Sequence, residues 1–363
     1  TKHMLLKLYH KFLIINFLKI LLEVTGIFFA LVFIMGLLEE ISFFKELDTS
    51  IMYPMFLTLL NSPSVLYDIF PFIFIITTQF FFIKIVDRSE LFLFKNTGVS
   101  NLKIIGLIIF TAFVLSLIIN IVFYNLSSKL KYQYLLLKNS YSSDNKYLAV
   151  ITQNGLWIKD EVDGEVKIIN SKKLEKNYLT DVEITEFTKD FELLRKIDSK
   201  KIDISSTDWI LQNAKISKDN KVFSAENDLI YKTNFNLEKL NNYFANLKSL
   251  TFFELHDAKK NYENLGFSTE DIEVHLLKFY TYPFYLTIMT LFACVIMMNL
   301  KYNKPKIFHI ILGIMISVII YYINLFSNVL GQSLDFSGKL SALLPMVIIS
   351  LSCCIGLIKI NEK

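Results

Sequence analysis

Side chains able to do chemistry are sparse in this sequence and poorly placed for catalysis. The five histidines, at positions 3, 10, 256, 275 and 309, are scattered. No H-E-x-x-H pair sets two imidazoles one helical turn apart for a metal, and no G-x-x-x-x-G-K-[ST] loop or G-x-G-x-x-G turn could cradle phosphates. The three cysteines, Cys294, Cys353 and Cys354, fall inside long apolar runs, so neither a disulfide framework nor a metal-ligand set is expected. No serine has a convincing base. The sequence implies a chain without catalytic residues, metal or cofactor of its own.

The informative polar residues are of another kind. From Asp87 to Ser100 the chain reads as a short amphipathic helix, Arg88-Ser89-Glu90-Leu91 at its head and Gly98 in the position that closes a helix. Too close to its flanking apolar runs to be a free domain, it either lies on lipid headgroups or couples to a groove on a cytoplasmic partner. Lys19 and Glu23 sit four apart on one helix face inside an apolar run, where charge is costly unless paired or turned to a polar cavity. A second polar stripe, with Tyr321, Asn324 and Asn328 on one face, crosses another run.

Those runs set the architecture. The chain has 363 residues, 53% of them hydrophobic and 33 of them Phe. The apolar residues cluster into six stretches of about 20 residues or more, enough to cross ~30 Å of hydrocarbon. The stretches are about 12–38, 65–86, 102–124, 279–300, 307–330 and 340–360, with Pro63 at the start of the second and Pro71 in its first turns. The first run is too long for a cleavable signal and is expected to remain as an anchor. Lys and Arg concentrate in the N-terminal tail, the link after span two, the link after span four and the C-terminus, which places both termini in the cytoplasm.

Between spans three and four lies a polar insert, about 127–267. From Leu126 to Leu277 there are 22 Lys+Arg against 24 Asp+Glu, leaving 16 basic against 10 acidic residues for the membrane part. That excess is read as topology, and no nucleic acid is expected among the partners. The insert opens and closes with helical pattern and otherwise alternates. Strands are expected at 147–152, 157–162, 165–170, 181–187, 192–197, 201–205, 209–217 and 222–225, with Asp163-Gly164 as a two-residue hairpin turn. Many short strands at steady spacing point to a sandwich or jelly roll. The fold class expected is a polytopic α-helical membrane protein, 3+3, with a jelly-roll-like domain inserted outside the membrane. Residues 1–126 hold three spans and the amphipathic helix (about 87–99), 127–267 the β domain, and 268–363 the last three spans.

Several motifs in this order resemble the permease family of the lipopolysaccharide exporter (LptF/LptG, also called YjgP/YjgQ). They are Leu60-Asn61-Ser62-Pro63 with Tyr67 and Pro71, Arg88-Ser89-Glu90-Leu91 with Gly98, Gly155-Leu156-Trp157-Ile158-Lys159-Asp160, and Trp209-Ile210-Leu211-Gln212-Asn213-Ala214. The likeness covers almost the whole chain, and the Arg88 and Trp157 motifs are most like the G-type subunit. It implies a non-enzymatic transport subunit of the bacterial inner membrane, with its β domain in the periplasm. Implied partners are a paralogous F-type permease, a cytoplasmic ABC ATPase dimer docking on the 87–99 helix, a periplasmic jelly-roll bridge protein, and lipopolysaccharide itself. It further implies basic contacts to lipid phosphates, for which Lys45, Lys129, Lys131 and the deeper Lys19 are candidates, and a gate on span five, for which Tyr321, Asn324 and Asn328 are candidates. The family often has basic residues near the outer end of span one, where this chain has Glu39 and Glu40. The alternatives are the F-type subunit of the same exporter and a membrane-anchored periplasmic lipid-binding scaffold.

Overall fold

The computed structural model describes residues 2–45, 50–139, 148–152, 155–162, 164–175, 177–188, 191–218, 221–225, 228–237, 246–265, 269–299, 306–333 and 338–361. They form two compact units, Thr1–Lys131 with Val274–Lys363, and Tyr132–Glu273.

The first unit is helical. Its elements are α1 (Lys2–Phe44), α2 (Met52–Asp87), α3 (Glu90–Asn96), α4 (Asn101–Ile118), a π turn (Ile119–Phe123) and the start of α5 (Tyr124–Asn139). It continues with most of α7 (Glu270–Asn299), then α8 (Lys306–Ser333) and α9 (Gly338–Asn361). Among the described residues, six helices are long and apolar enough to cross a membrane. A helix is the natural solution for such runs, because it satisfies every backbone N–H and C=O within the segment. The helices outrun the apolar stretches that define them. α2 begins at Met52 and carries Pro63 and Pro71 in its interior, so Pro63 does not open the span as the sequence suggested. Lipid offers a prolyl kink no competing water, and neighbouring helices can take up the freed carbonyl.

α2 is the most buried of the six. Its Phe70, Ile73, Phe74, Phe81 and Phe82 join Leu13 and Phe17 of α1, Ile104 and Ile108 of α4 and Leu286 of α7 in one core. α8 meets α2 at Gly313, where any Cβ would strike the Gln79 side chain. α9 approaches α7 at Gly356, against Val295. Small residues at such crossings let helices approach closely where no hydrophobic effect drives them together.

The second unit holds a nine-stranded antiparallel sheet: β1 (Leu148–Thr152), β2 (Gly155–Val162), β3 (Glu165–Glu175), β4 (Tyr178–Phe187), β5 (Leu193–Asp203), β6 (Asp208–Gln212), β7 (Lys215–Lys218), β8 (Lys221–Ser224) and β9 (Leu229–Lys232). Strands β1 to β6 pair in sequence order, β9 pairs β6, and β7 pairs β5 and β8. Helix α6 (Phe252–Leu265) follows. Of the expected hairpin turn, Asp163 lies outside the described residues and Gly164 has φ +83°, the left-handed value such turns require. Two expectations fail. The stretches 192–197 and 201–205 are one strand, β5, because Ser199 turns inward and keeps the alternation unbroken. The stretch 209–217 is two strands, broken at Asn213 (φ 54°), an amide that tolerates left-handed backbone.

Register stacks the inward face of β2–β5 in layers. One layer is Leu156, Ser171, Val182 and Ser199, and the next is four isoleucines, Ile158, Ile169, Ile184 and Ile197. The third is four charges of alternating sign, Asp160, Lys167, Glu186 and Arg195. Asp160, Lys167 and Glu186 are buried, and each is satisfied. Thr233 Oγ1 donates to Asp160 at 2.6 Å, and Asn234 donates from its backbone at 3.0 Å and its amide at 2.9 Å. Lys167 Nζ donates to the Lys232 carbonyl at 3.0 Å and lies over the Tyr231 ring. Arg195 grips Glu186 through both Nε and Nη2, and that hydrogen bond raises the guanidinium pKa. Burial first, then the nearby Glu186 charge, push the Tyr231 phenol well above the ordinary tyrosine value. Buried charge is tolerated only when paired and hydrogen-bonded in this way.

Arg195→Met should therefore leave Glu186 without its fork and destabilise the β unit by roughly 2–3 kcal/mol, somewhat below the cost for a wholly buried pair. Limited proteolysis and thermal unfolding of the full chain measure it. Adding Glu186→Met should recover most of the loss.

Candidate functional site

Helix α3 and its two junctions are the first candidate. The chain leaves α2 through Arg88 and turns at Ser89, whose φ of 57° is uncommon for a residue with a side chain. Ser89 N–H donates to the Val86 carbonyl, and the Ser89 carbonyl then accepts from Leu93. Glu90 stands in the first turn, where the helix dipole favours a carboxylate, 3.9 Å from Arg88. At the other end Gly98 takes φ +84°, and Val99 N–H closes back on the Phe94 carbonyl at 3.0 Å, the six-to-one bond of a Schellman cap. Leu91 is buried, and Phe94 packs against the rings of Tyr9 and Phe12 on α1. Phe92 and Leu93 are 66% and 59% exposed. Both ends are fixed, the inward face is anchored, and an apolar pair stands outward.

The second candidate is a polar network inside the helical unit that the sequence reading did not assemble. Pro71 and Pro283 have no N–H, so the carbonyls four residues earlier, on Tyr67 and Phe279, lose their intrahelical donors. Each is served from another helix. The Tyr282 hydroxyl donates to the Tyr67 carbonyl, and Asn120 Nδ2 donates to the Phe279 carbonyl at 3.0 Å. The Tyr67 hydroxyl in turn donates to Asn120 Oδ1 at 2.7 Å, and the Tyr67 and Tyr282 rings stack at 4.3 Å. Ser116 Oγ donates to the Pro283 carbonyl at 3.1 Å. Asn120 lies in the π turn, whose extra residue shifts the helical register. Such turns often mark functional sites. The available signal was the i, i+4 spacing of Tyr67 to Pro71 and Phe279 to Pro283.

The remaining candidates are dispersed. Lys45 is exposed at the end of α1, Lys129 is exposed on α5, and Lys131 is half-buried with Nζ donating to Asn61 of α2 at 2.6 Å. Lys19 is exposed and forms no ion pair with Glu23. Glu23 lines a groove with Lys84, Asp87 and Arg88, so this pair lies towards the α3 end of the unit, away from Lys45 and Lys131. On α8, Asn324 donates to the Tyr285 hydroxyl of α7 at 2.9 Å. Tyr321 is half-exposed and packs against Phe72. Asn328 lies one turn further along the same helix, its side chain outside the described residues. Among the described residues no group of three His, Cys, Asp or Glu could hold a metal.

Comparison with known families gives a match over residues 11–359 to the model described as "Lipopolysaccharide export system permease LptF/LptG". No curated protein matches the chain.

If Asn120 replaces the donor that Pro283 lacks, Asn120→Leu should strand the Phe279 carbonyl and the Tyr67 hydroxyl, costing about 1–3 kcal/mol. That would appear as a lower thermal midpoint of the detergent-solubilised protein. Pro283→Ala restores the intrahelical bond, so in that background Asn120→Leu should cost markedly less.

Proposed function

Because this chain belongs to the lipopolysaccharide export system permease family, LptF/LptG, we propose that it is the G-type permease subunit of an ABC-type exporter. The permease is a transport subunit and not itself an enzyme, and its six apolar helices belong to the bacterial inner membrane. In our reading a paralogous F-type subunit completes a cavity with this one. A cytoplasmic ATPase dimer supplies the energy, and both termini face the cytoplasm. Lipopolysaccharide leaves the outer leaflet of the inner membrane and passes through the periplasmic β unit to a jelly-roll bridge protein. Lys45, Lys129 and Lys131 are the proposed contacts to lipid phosphate, with Lys131 already held by Asn61.

The observation that carries the reading is the construction of α3. A helix meant only to lie on lipid has no need of a fixed turn at Ser89, a cap at Gly98 and an anchored inner face. A helix that transmits force from a partner needs all three. The exposed Phe92–Leu93 pair beside Glu90 supplies an apolar contact and a charge for orientation. A passive scaffold would require none of this and only one span.

Span five admits a second reading, favoured by a specific contact. Asn324 is engaged within the chain by Tyr285, which suits helix–helix bonding worth roughly 0.6 kcal/mol. The half-exposed Tyr321 is the better placed of the two to face a partner.

Two experiments separate these readings. Glu90→Lys should reduce ATPase recovered with the tagged permease about tenfold, equivalent to about 1.4 kcal/mol, with membrane insertion unchanged; full recovery and normal export would sink the docking role. Tyr321→Cys paired with a cysteine on span one of the F-type subunit should give a disulfide that halts export until reductant is added. Crosslinking only within the chain would make the stripe structural.

A further inference from the structure

Beside the junction of α2 and α3 lies a groove of about 370 Å³ between α1 and the end of α2. Its floor is apolar, with Ile27 and Phe80 among its walls, and four charged residues surround it: Glu23, Lys84, Asp87 and Arg88. Opposite charges sharing one small groove would ordinarily collapse onto each other. Here Glu23 and Lys84 form no ion pair, either with each other or with any other described residue. Among the described residues, Arg88 reaches Glu90 at 3.9 Å, its own side chain largely in solvent. Ile27 in its wall and Leu22, which precedes Glu23 on α1, are 60% and 72% exposed, as a membrane-spanning helix presents side chains to acyl chains. The groove thus combines Glu23 on α1 with Lys84 and Asp87 at the end of α2 and Arg88 just beyond it, two acidic and two basic groups, beside an apolar wall running along the helices.

We infer that this groove binds the headgroup of a phospholipid carrying both an ammonium and a phosphate, the ammonium against Glu23 and the phosphate against Lys84 and Arg88. Charge complementarity selects this occupant. A purely anionic headgroup would set its phosphate beside Lys84 and leave Glu23 repelled or unpaired. A zwitterion satisfies both sides, and its acyl chains extend along Ile27 and Phe80. Charge-assisted hydrogen bonds to both halves of the headgroup are the strong kind. The inference does not involve the lipid that the permease exports; Arg88 is shared with the segment proposed to meet the ATPase, whereas Glu23 and Lys84 belong to neither site, so the test rests on those two.

Native mass spectrometry of the detergent-purified full chain tests it. Phosphatidylethanolamine, phosphatidylglycerol and the acyl-free glycerophosphoethanolamine are titrated separately. The wild type should retain phosphatidylethanolamine in preference to phosphatidylglycerol, and should not retain the acyl-free headgroup. Glu23→Gln should weaken phosphatidylethanolamine about fivefold and leave phosphatidylglycerol unchanged, whereas Lys84→Gln should weaken both. Should Glu23→Gln lose both lipids, recovery of phosphatidylethanolamine by Glu23→Asp supports the inference and failure to recover overturns it. Equal retention of the two lipids by the wild type, a preference untouched by Glu23→Gln, or retention of the free headgroup alone would each overturn it.

Discussion

A carbonyl in hydrocarbon must find a donor, and the helical unit is arranged around two that proline has deprived of one. Tyr67 and Phe279 each sit four residues before a proline, on different spans. The structure answers both with one connected set of groups, Tyr282, Asn120 and the Tyr67 hydroxyl. Three helical segments are thereby held at one level: α2, the π turn after α4, and α7. The placement is consequential because α4–α5 and α7 are the helices through which the chain runs into and out of the β unit. Pro71 and Pro283 each cost their helix a bond, and side chains from neighbouring helices replace it.

α3 answers a related problem at the end of α2. Seven residues are too few to be stable as an isolated helix, so its order comes from outside: the turn at Ser89, the cap at Gly98, and Leu91 and Phe94 set against the helical core. This leaves Phe92 and Leu93 exposed on the outward face, the side from which a partner or the lipid headgroups would cover them. The groove lined by Glu23 and Lys84 lies directly beside the junction of α2 and α3.

The β unit handles charge by another means. Antiparallel register puts Asp160, Lys167, Glu186 and Arg195 side by side across four strands, so each charge has opposite-sign neighbours before any tertiary contact is made. Tyr231, Thr233 and Asn234 then close over them from β9 and its exit. One residue of slip in any strand would carry that strand's charge to the outer face and its polar outer residues inward. The layer therefore fixes register as well as closing the apolar interior at one edge.

How much of this was legible in the sequence follows from the range of the forces involved. Six spans, the polar insert and the presence of a short helix after the second span were readable because hydrophobic length and periodicity are local properties; that helix is shorter than the expected 87–99 segment, at Glu90–Asn96. Gly98 was readable because only the left-handed cap needs a glycine there. The β7 break at Asn213 and the unbroken β5 were misread, since both depend on what each strand pairs with rather than on its own pattern. Lys19 and Glu23 were legible as charges that need either a pair or a polar cavity, but the sequence does not say where α1 meets the end of α2. Tyr67, Asn120 and Tyr282 could not be joined from sequence at all. Pro71 and Pro283 announce needy carbonyls at Tyr67 and Phe279, but the donors lie up to 215 residues away along the chain, and only tertiary packing brings them into hydrogen-bond range.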